Sequence, residues 1–308
     1  MAKLRTTAAI DIGSNSLTLK IAEAKKTGPV KILETVRGTL SLGTSSYRDG
    51  EISEEQIEDL CRQLQGFKGI LKLYEIPYDA CPVVATSALR EAANRDLVVE
   101  RVRQATDFDV QILSNTEERS MHLIAVRAQL DAFEDLAKEG ITVLDIGAGS
   151  LQVSAYENGH CYYSQNFLLG CLRISELFAQ FELRAKDYES LIDEYISSEL
   201  ANSETANPNA QQHPHLVALG VDLGAIHLLR EPKEEGDKVI PASELGLTKP
   251  FVKRKEFDAI FDRIRHLNPL EITHQEGIPT EIAETLLPAM IIVKQYLDAS
   301  EAKGRSEE

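Results

Sequence analysis

The sequence predicts an α/β fold of two similar domains, each built on a mixed β-sheet flanked by helices. A strand–turn–strand pattern occurs twice, with DIGSNSL at residues 11–17 and DIGAGSL at residues 145–151. Helical and extended patterns then alternate along both halves. The length of 308 residues is enough for about two domains that each bury a core. A repeat of this size indicates a duplicated domain, and we predict domains at residues 1–125 and 126–308.

The first half begins with the two strands that the first turn joins. Two capping boxes, which begin at Ser53 and Ser114, mark helix starts, and an apolar stripe with helical spacing follows the first of them. The predicted order after the hairpin is a strand at 30–36, a helix at 53–73, a strand at 81–85, a helix capped by Asn94, a strand at 110–113 and a helix at 114–132.

The second half repeats this plan from residue 141. Polar and proline-containing stretches predict loops between its elements. The predicted order is a hairpin, helices at 174–181 and 187–200, a loop at 202–214, a strand at 216–220, a charged loop at 231–238, helices at 254–266 and 280–297, and a charged tail at 301–308. Whether the last helix packs back on the first domain stays open.

Composition limits the classes of partner. The net charge of −16 argues against non-specific binding to nucleic acid or to anionic membranes, so a polyanionic ligand needs a local basic patch or a metal. The longest apolar run, at 285–293, contains Pro288 and is too short to span a bilayer. Residues 1–10 lack the apolar core of a signal peptide, and the four cysteines form no Cys-x-x-Cys pair. We therefore expect a cytoplasmic protein with reduced thiols.

The two turns have the composition of a phosphate-binding loop. Glycine and small polar residues leave backbone N–H groups uncovered, as in an anion-binding nest. Asp11 and Asp145, which precede the turns, could each hold a cation against a bound phosphate. One such turn alone would be explained as an ordinary structural turn. Two copies with matching flanking patterns favour a binding function.

Three motifs in the first half resemble the exopolyphosphatase/guanosine-pentaphosphate phosphatase (Ppx/GppA) family. They are AIDIGSNS at 9–16, ATSALREA at 85–92 with Asn94, and Ser-x-x-Glu-Glu at 114–118. The resemblance covers roughly residues 7–300. It implies the actin-like, ribonuclease-H-like duplicated fold that actin, sugar kinases and chaperone ATPases share, with an active site in the cleft between the domains.

The family resemblance also implies roles for individual residues. Phosphate binding would fall to both turns and one arginine, namely Gly13, Ser14, Asn15, Ser16, Arg90, Gly147, Gly149 and Ser150. Asp11 and Asp145 would hold Mg²⁺, or Mn²⁺, directly or through water. Glu118 matches the family's catalytic glutamate and would take a proton from the attacking water. Without the family, Glu118 would be a first-turn residue favoured by the helix dipole, and Arg90 a surface ion-pair partner.

The sequence gives Glu117 a structural role and leaves the role of Gly170 and Arg173 open. Glu117 fits the third helical position of the second capping box, so we interpret it as structural. Gly170 and Arg173 resemble a further family segment. Arg173 would face either the polyphosphate channel or solvent.

The second half departs from the family pattern in several places. Ala148 replaces a glycine, Leu151 a threonine and Gln152 a glutamate, so Gln152 is a doubtful metal ligand that offers an oxygen but no charge. The sequence GVDLG at 220–224 stands where the family has Gly-Gly-Thr, and IAE at 282–284 stands for Arg-Ala-Asp. Metal binding at the second turn should therefore be weaker.

These observations predict a Mg²⁺-dependent acid-anhydride hydrolase. It would remove the terminal phosphate of inorganic polyphosphate or the 5′ γ-phosphate of guanosine pentaphosphate. The alternatives are a catalytically weakened sensor of polyphosphate or guanosine tetra- or pentaphosphate, and an ATP-dependent kinase of the same fold. The sequence does not choose between the two substrates, and it leaves a homodimer open as the assembly.

Overall fold

The computed structural model describes residues 5–25, 30–130, 132–179, 185–204, 213–220, 223–227, 229 and 252–300. The chain divides into two compact units between Ser120 and Met121. This division falls on a helix, α5, which also contains the predicted boundary after residue 125. Each unit contains one β-sheet.

The first unit contains a five-stranded mixed sheet in the order β3-β2-β1-β4-β5. The first three strands pair antiparallel, and β4 and β5 extend the sheet in parallel. Its elements are β1 Arg5–Ile12, β2 Ser16–Ala24, β3 Lys31–Thr39, α1 Leu42–Asp49, α2 Glu54–Leu73, β4 Val83–Ala85, α3 Ser87–Glu91, α4 Arg95–Thr106, β5 Val110–Ile112 and the start of α5 Asn115–Gln129, with a 3₁₀ turn at Tyr78–Ala80.

The second unit contains a four-stranded mixed sheet in the order β8-β7-β6-β9. Its first three strands are antiparallel and the fourth pairs parallel with β6, as β4 does with β1. Its elements after α5 are α6 Phe133–Glu139, β6 Ile141–Ile146, β7 Leu151–Glu157, β8 His160–Phe167, α7 Cys171–Ala179, α8 Ala185–Glu204, β9 His215–Gly220, a 3₁₀ turn at Leu223–His227, α9 Arg254–Ile264, α10 Pro269–Glu276 and α11 Thr280–Ala299. The predicted class of two mixed sheets flanked by helices is confirmed.

The two hairpins have the same register as well as similar sequences. The last pair of the first hairpin is Ile12 with Leu17, and that of the second is Ile146 with Leu151. In each turn, the amide of the first glycine donates to the carbonyl of the serine three residues later, with N···O distances of 2.9 Å in both. The sequence repeat is therefore a repeat in backbone geometry.

The first unit buries one face of its sheet under helices. Ile10 and Leu19 point into this core, which is completed by residues of α2 and α4 such as Leu64 and Val102. Residues that alternate with them point to the opposite face, where Asp11 and Lys20 are exposed. The alternation of apolar and polar residues along β1 and β2 is what produces this division.

The second unit packs helices on both faces of its sheet. Leu144 and Val153 face a core formed with α7 to α11. On the other face, Val143 and Tyr156 pack with Val126 of α5 and with Phe133 and Ala137 of α6. With helices on both faces, β6 and β7 are buried almost throughout, including polar residues such as Gln152 and Ser154.

The longest apolar run of the chain lies in α11, at the centre of the larger core. Residues 285–293 of this helix are all buried, including Pro288. α11 packs against α7, α8, α9 and α10 within its own unit. In the part of the chain that the structure describes, no helix combines the length and apolar character that crossing a bilayer requires.

Several predicted elements differ in detail. Asn94 precedes α4 as predicted, but its side chain bonds to both backbone groups of Ile52 instead of capping the helix. α8 continues to Glu204, into the predicted loop. Four short helices, α1, α3, α6 and α10, were not predicted because each has fewer than nine residues, too few for an apolar repeat to be recognised. The loop at 231–238 and the tail at 301–308 lie outside the described residues.

The second turn packs so tightly against the start of α7 that only glycine fits at position 170. A Cβ atom on Gly170 would lie 2.2 Å from the carbonyl carbon of Gly149 and 2.3 Å from the carbonyl oxygen of Ala148. We expect Gly170→Ala to lower the free energy of unfolding by about 1–3 kcal/mol, because backbone has to move. Urea unfolding monitored by circular dichroism measures this change.

Gly66→Ala is the matched control for that substitution. Gly66 lies inside α2, and a Cβ atom there meets nothing within 4 Å. This change should be neutral or stabilise the protein by up to about 1 kcal/mol. Equal stability of both variants would contradict the close packing of the second turn.

Candidate functional site

The first turn presents backbone N–H groups, as an anion-binding loop requires. Its carbonyl groups are already engaged: that of Ser14 accepts from the amide of Gly43 at 2.8 Å, and that of Asn15 from the amide of Leu40 at 3.2 Å. Within the described residues, the amides of Ser14 and Asn15 have no hydrogen-bond partner. The residues before and within α1 thus hold the turn in place while these two N–H groups remain available for an anion.

The hydroxyl of Ser14 points into the first unit. It lies 2.5 Å from the hydroxyl of Tyr47 and 3.1 Å from that of Ser87, and these two hydroxyls are 2.9 Å apart. Ser14 and Ser87 are buried. The turn is therefore fastened to α1 and α3, and Ser14 would contribute to phosphate binding through its amide. Sequence reasoning missed Tyr47 because α1 was not predicted.

Arg90 and Glu118 form an ion pair with each other. Nη1 of Arg90 donates to Oε2 of Glu118 at 2.8 Å and to the carbonyl of Leu113 at 2.7 Å. The side chains are only 16% and 12% exposed. Nε and Nη2 of Arg90 have no partner among the residues that the structure describes, so the guanidinium keeps donors for an incoming anion. The predicted phosphate ligand and the predicted base are brought together.

Glu117 has the structural role predicted for it. Its Oε2 accepts from the amide of Ser114 at 2.8 Å and from the Ser114 hydroxyl at 2.7 Å. The Ser114 hydroxyl in turn accepts from the amide of Glu117 at 3.3 Å. The hydrogen bond from the Ser114 amide, followed by that from its hydroxyl, lowers the pKa of Glu117. Glu117 therefore caps the start of α5, whereas Glu118 pairs with Arg90.

Asp11 has surroundings that suit a hydrated magnesium ion. Its side chain is exposed and lies on the same sheet face as Thr18, its direct neighbour across β2. Mg²⁺ retains several waters and is commonly held by one or two carboxylates together with substrate phosphates. The described ranges contain no cluster of three or more His, Cys, Asp or Glu residues that could hold a metal. An exposed carboxylate such as that of Asp11 is the kind of protein ligand that such an ion uses.

The second turn is bound tightly to α7. The carbonyl of Gly147 accepts from the amide of Cys171 at 3.0 Å, and that of Ala148 from the amides of Leu172 and Arg173 at 3.0 and 3.1 Å. Nε of Arg173 donates to the carbonyl of Gly149 at 2.9 Å. This hydrogen bond makes Arg173 a support of the second turn. The orientations considered from sequence, towards the polyphosphate channel or towards solvent, did not include this contact.

One departure from the family pattern has a visible packing reason. Leu151, where the family has a hydroxyl residue, is fully buried in the larger core of the second unit. Ser150 is also buried. At the end of β9, a Cβ atom on Gly220 would lie 2.7 Å from the carbonyl oxygen of Ile146, so only glycine fits there. Residues 221 and 222 of the divergent segment lie outside the described part of the chain.

Asp145 lies against a histidine that sequence reasoning missed. Oδ2 of Asp145 makes a direct ion-pair contact with Nδ1 of His122 on α5. Gln152, directly opposite Asp145 in β7, is buried, and Asn166 lies directly opposite Gln152 in β8. Oδ1 of Asn166 is buried and has no hydrogen-bond partner among the described residues. A lone histidine within a helix gives no signal from which this contact could have been foreseen.

This set of donors does not fit a site built for magnesium alone. Mg²⁺ prefers oxygen ligands in near-octahedral geometry, whereas imidazole nitrogen is a ligand of transition metals. The two turns thus differ: Asp11 is exposed to water, and Asp145 is covered by a helix that brings in a nitrogen. The predicted placement of both turns in one cleft stays a prediction.

Comparison with solved structures shows the fold. An exopolyphosphatase from Cytophaga hutchinsonii has a TM-score of 0.75 with 17% identity, and a Ppx/GppA family member from Aquifex aeolicus has 0.72 with 21% identity. Each match covers 96% of this chain and 91% of the other.

Comparison with curated proteins gives relatives of different lengths. Exopolyphosphatase 1 of Mycobacterium leprae is 25% identical over 295 residues, which cover 94% of this chain and 82% of that protein. A bifunctional 3-dehydroquinate synthase/phosphatase of Fusobacterium nucleatum is 29% identical over 179 residues, which cover 56% of this chain and 26% of that protein. The chain thus matches only about a quarter of the Fusobacterium protein, and 54% of exopolyphosphatase 1 from Mycobacterium tuberculosis.

The family model for the Ppx/GppA phosphatases matches residues 20–303. The match begins after the first turn and includes the Arg90–Glu118 pair and the second turn. The resemblance first seen in three short motifs thus extends over nearly the whole sequence. The chain belongs to the Ppx/GppA phosphatase family.

Proposed function

We propose that this protein is a phosphohydrolase that removes the terminal phosphate of inorganic polyphosphate or the 5′ γ-phosphate of guanosine pentaphosphate. The observation that carries the proposal is the partly buried Arg90–Glu118 pair, which α3 connects to the first turn. Ser87, on the same short helix as Arg90, bonds to Ser14 of that turn. Phosphate donors, guanidinium and carboxylate thus belong to one connected network inside the first unit.

Phosphate binding would use groups that the fold leaves available. The amides of Ser14 and Asn15 donate to oxygens of the terminal phosphate, and Nε and Nη2 of Arg90 donate to further oxygens. The guanidinium of Arg90 would also stabilise the charge of the transition state. A bound Mg²⁺, with Asp11 as its protein ligand, would neutralise charge on the phosphate oxygens and on the leaving group.

Glu118 would serve as the general base. It takes a proton from a water molecule, whose oxygen forms a bond to the terminal phosphorus as the bond from phosphorus to the bridging oxygen breaks. The products are inorganic phosphate and a chain shorter by one phosphate. Arg90 holds Oε2 of Glu118, and this contact fixes the orientation of the carboxylate before the substrate arrives.

Basic side chains beside Asp11 support a polyanionic substrate despite the net charge of −16. Arg37 lies directly opposite Thr18, which lies directly opposite Asp11, so all three share a face of the first sheet. Lys20 points to the same face two residues further along β2. Both cations are exposed, and neither has a carboxylate partner in the described residues. They would attract the phosphates that follow the terminal one.

The second candidate is a sensor that binds such a ligand without turnover. It is favoured by the second turn, where Leu151 is a core residue and Asp145 contacts His122. A weakened metal ligand set there would slow hydrolysis while the first turn still bound phosphate. Phosphate release from either substrate at ordinary enzyme concentrations would exclude the sensor.

The neighbouring residues Glu118 and Glu117 should differ in how much each contributes to hydrolysis. Glu118→Gln should reduce phosphate release from long-chain polyphosphate or from guanosine pentaphosphate by about 100-fold or more, because the base is lost. Glu117→Gln, its matched control, should retain most activity, because it changes only a helix cap. Colorimetric phosphate assays of the purified chain with Mg²⁺ measure both rates. Release from neither substrate by the unaltered protein, with binding intact, would refute the hydrolase.

Arg37, on the sheet face that it shares with Asp11 and Lys20, should contribute to the binding of a polyanionic substrate. Arg37→Gln should raise KM for long-chain polyphosphate about two- to fivefold and leave kcat nearly unchanged, because an exposed cation contributes up to about 1 kcal/mol. Arg103→Gln removes the same charge from α4, where the arginine is paired with Glu100, and should have no effect. Equal KM values for both variants would show that the substrate does not pass over Arg37.

A further inference from the structure

A polar row crosses the second sheet at its end near the turn. Asp145, Gln152 and Asn166 are direct neighbours on β6, β7 and β8, and His122 of α5 contacts Asp145 from above the sheet. We propose that this row is a site for a divalent transition-metal ion. Its ligands are Nδ1 of His122 and Oδ2 of Asp145, and Gln152 and Asn166 continue the row on β7 and β8. The site deepens the proposed function, since it names the metal preference of the second turn.

The fold places His122 over the row for a definite reason. Residues directly opposite each other in a sheet share a face, so the three polar residues point to the side that α5 covers. His122 precedes Val126 by four residues, and residues with that spacing lie on one side of a helix. Val126 is buried against Val143 of the same sheet face. Packing of α5 therefore directs the imidazole towards Asp145.

The row contains a polar atom that a bound cation would satisfy. Oδ1 of Asn166 is buried without a hydrogen-bond partner among the described residues. Leaving such an acceptor unsatisfied is unfavourable. Amide and carboxylate oxygens are ordinary ligands of divalent cations. A cation bound along the row within reach of Asn166 would therefore compensate this oxygen.

The chemistry of the donors selects the kind of cation. Gln152 stands where the family has a glutamate, so the site has one carboxylate fewer and attracts a hard ion such as Mg²⁺ less strongly. His122 supplies a nitrogen instead. For nitrogen ligands, affinity rises from Mn²⁺ to Co²⁺, and Zn²⁺ also binds tightly. The missing carboxylate at Gln152 and the imidazole of His122 thus both favour a transition metal over Mg²⁺.

Pulsed electron paramagnetic resonance of the Mn²⁺-loaded full chain tests this directly. Nitrogen modulation from a coordinated imidazole is expected in the unaltered protein and should disappear in His122→Gln. His215→Gln is the matched control, since His215 pairs with Glu139 through Nε2 at 2.8 Å in the same unit, and it should retain the signal. Absence of the signal in the unaltered protein, or its persistence in His122→Gln, would overturn the proposal.

Calorimetric titration gives an independent measurement. Zn²⁺ and Co²⁺ should bind at least about tenfold more tightly than Mg²⁺, and His122→Gln should remove most of this advantage while Mg²⁺ affinity changes less than about twofold. Circular dichroism verifies that the variant is folded. Unchanged Zn²⁺ affinity in the folded variant would show that His122 and Asp145 form an ion pair only.

Phosphate release measured in parallel separates the metal site from the proposed function. Nitrogen modulation without release from either substrate would leave the metal site standing and remove the hydrolase. Release with Mg²⁺ together with no nitrogen modulation would leave the hydrolase standing and remove the metal site.

Discussion

The candidate site of the first unit depends on a partly buried ion pair between Arg90 and Glu118. Burying two charges is costly, and the cost is offset only when both are paired and hydrogen-bonded, as the further bond from Arg90 to Leu113 achieves here. Removing one partner would leave the other charge partly buried and unpaired, which is destabilising. The pair therefore fixes α3 and α5 relative to each other and, through Ser87, the first turn.

The two turns show how one backbone design can acquire different surroundings. Both have the same register and the same closing hydrogen bond. The first is fastened by hydroxyl groups and leaves amides available, and its aspartate is exposed. The second is fastened by α7 and Arg173, and its aspartate contacts His122. A duplicated fold that keeps its backbone can thus leave one aspartate exposed and place a histidine against the other.

Much of the fold was predictable because its signals are local. The repeated turn, the capping boxes of α2 and α5 and the apolar stripe of α2 depend on neighbouring residues, and all were found where predicted. The contacts of Tyr47, His122 and Asn166 were not predictable, since each joins residues far apart in sequence. Asn94 shows the same limit: the helix start was predicted correctly, but its side chain bonds to Ile52, 42 residues earlier. The separate roles expected for Arg90 and Glu118 gave no indication that these side chains bond to each other.

A double-mutant cycle on this pair tests the central claim most directly. Phosphate release is measured for Arg90→Gln, for Glu118→Gln and for the variant with both changes, with folding verified for each. If the two side chains act as one unit, the loss of kcat in the double variant is far smaller than the product of the two single losses. Losses that multiply, or a Glu118→Gln variant with full activity, would contradict the account.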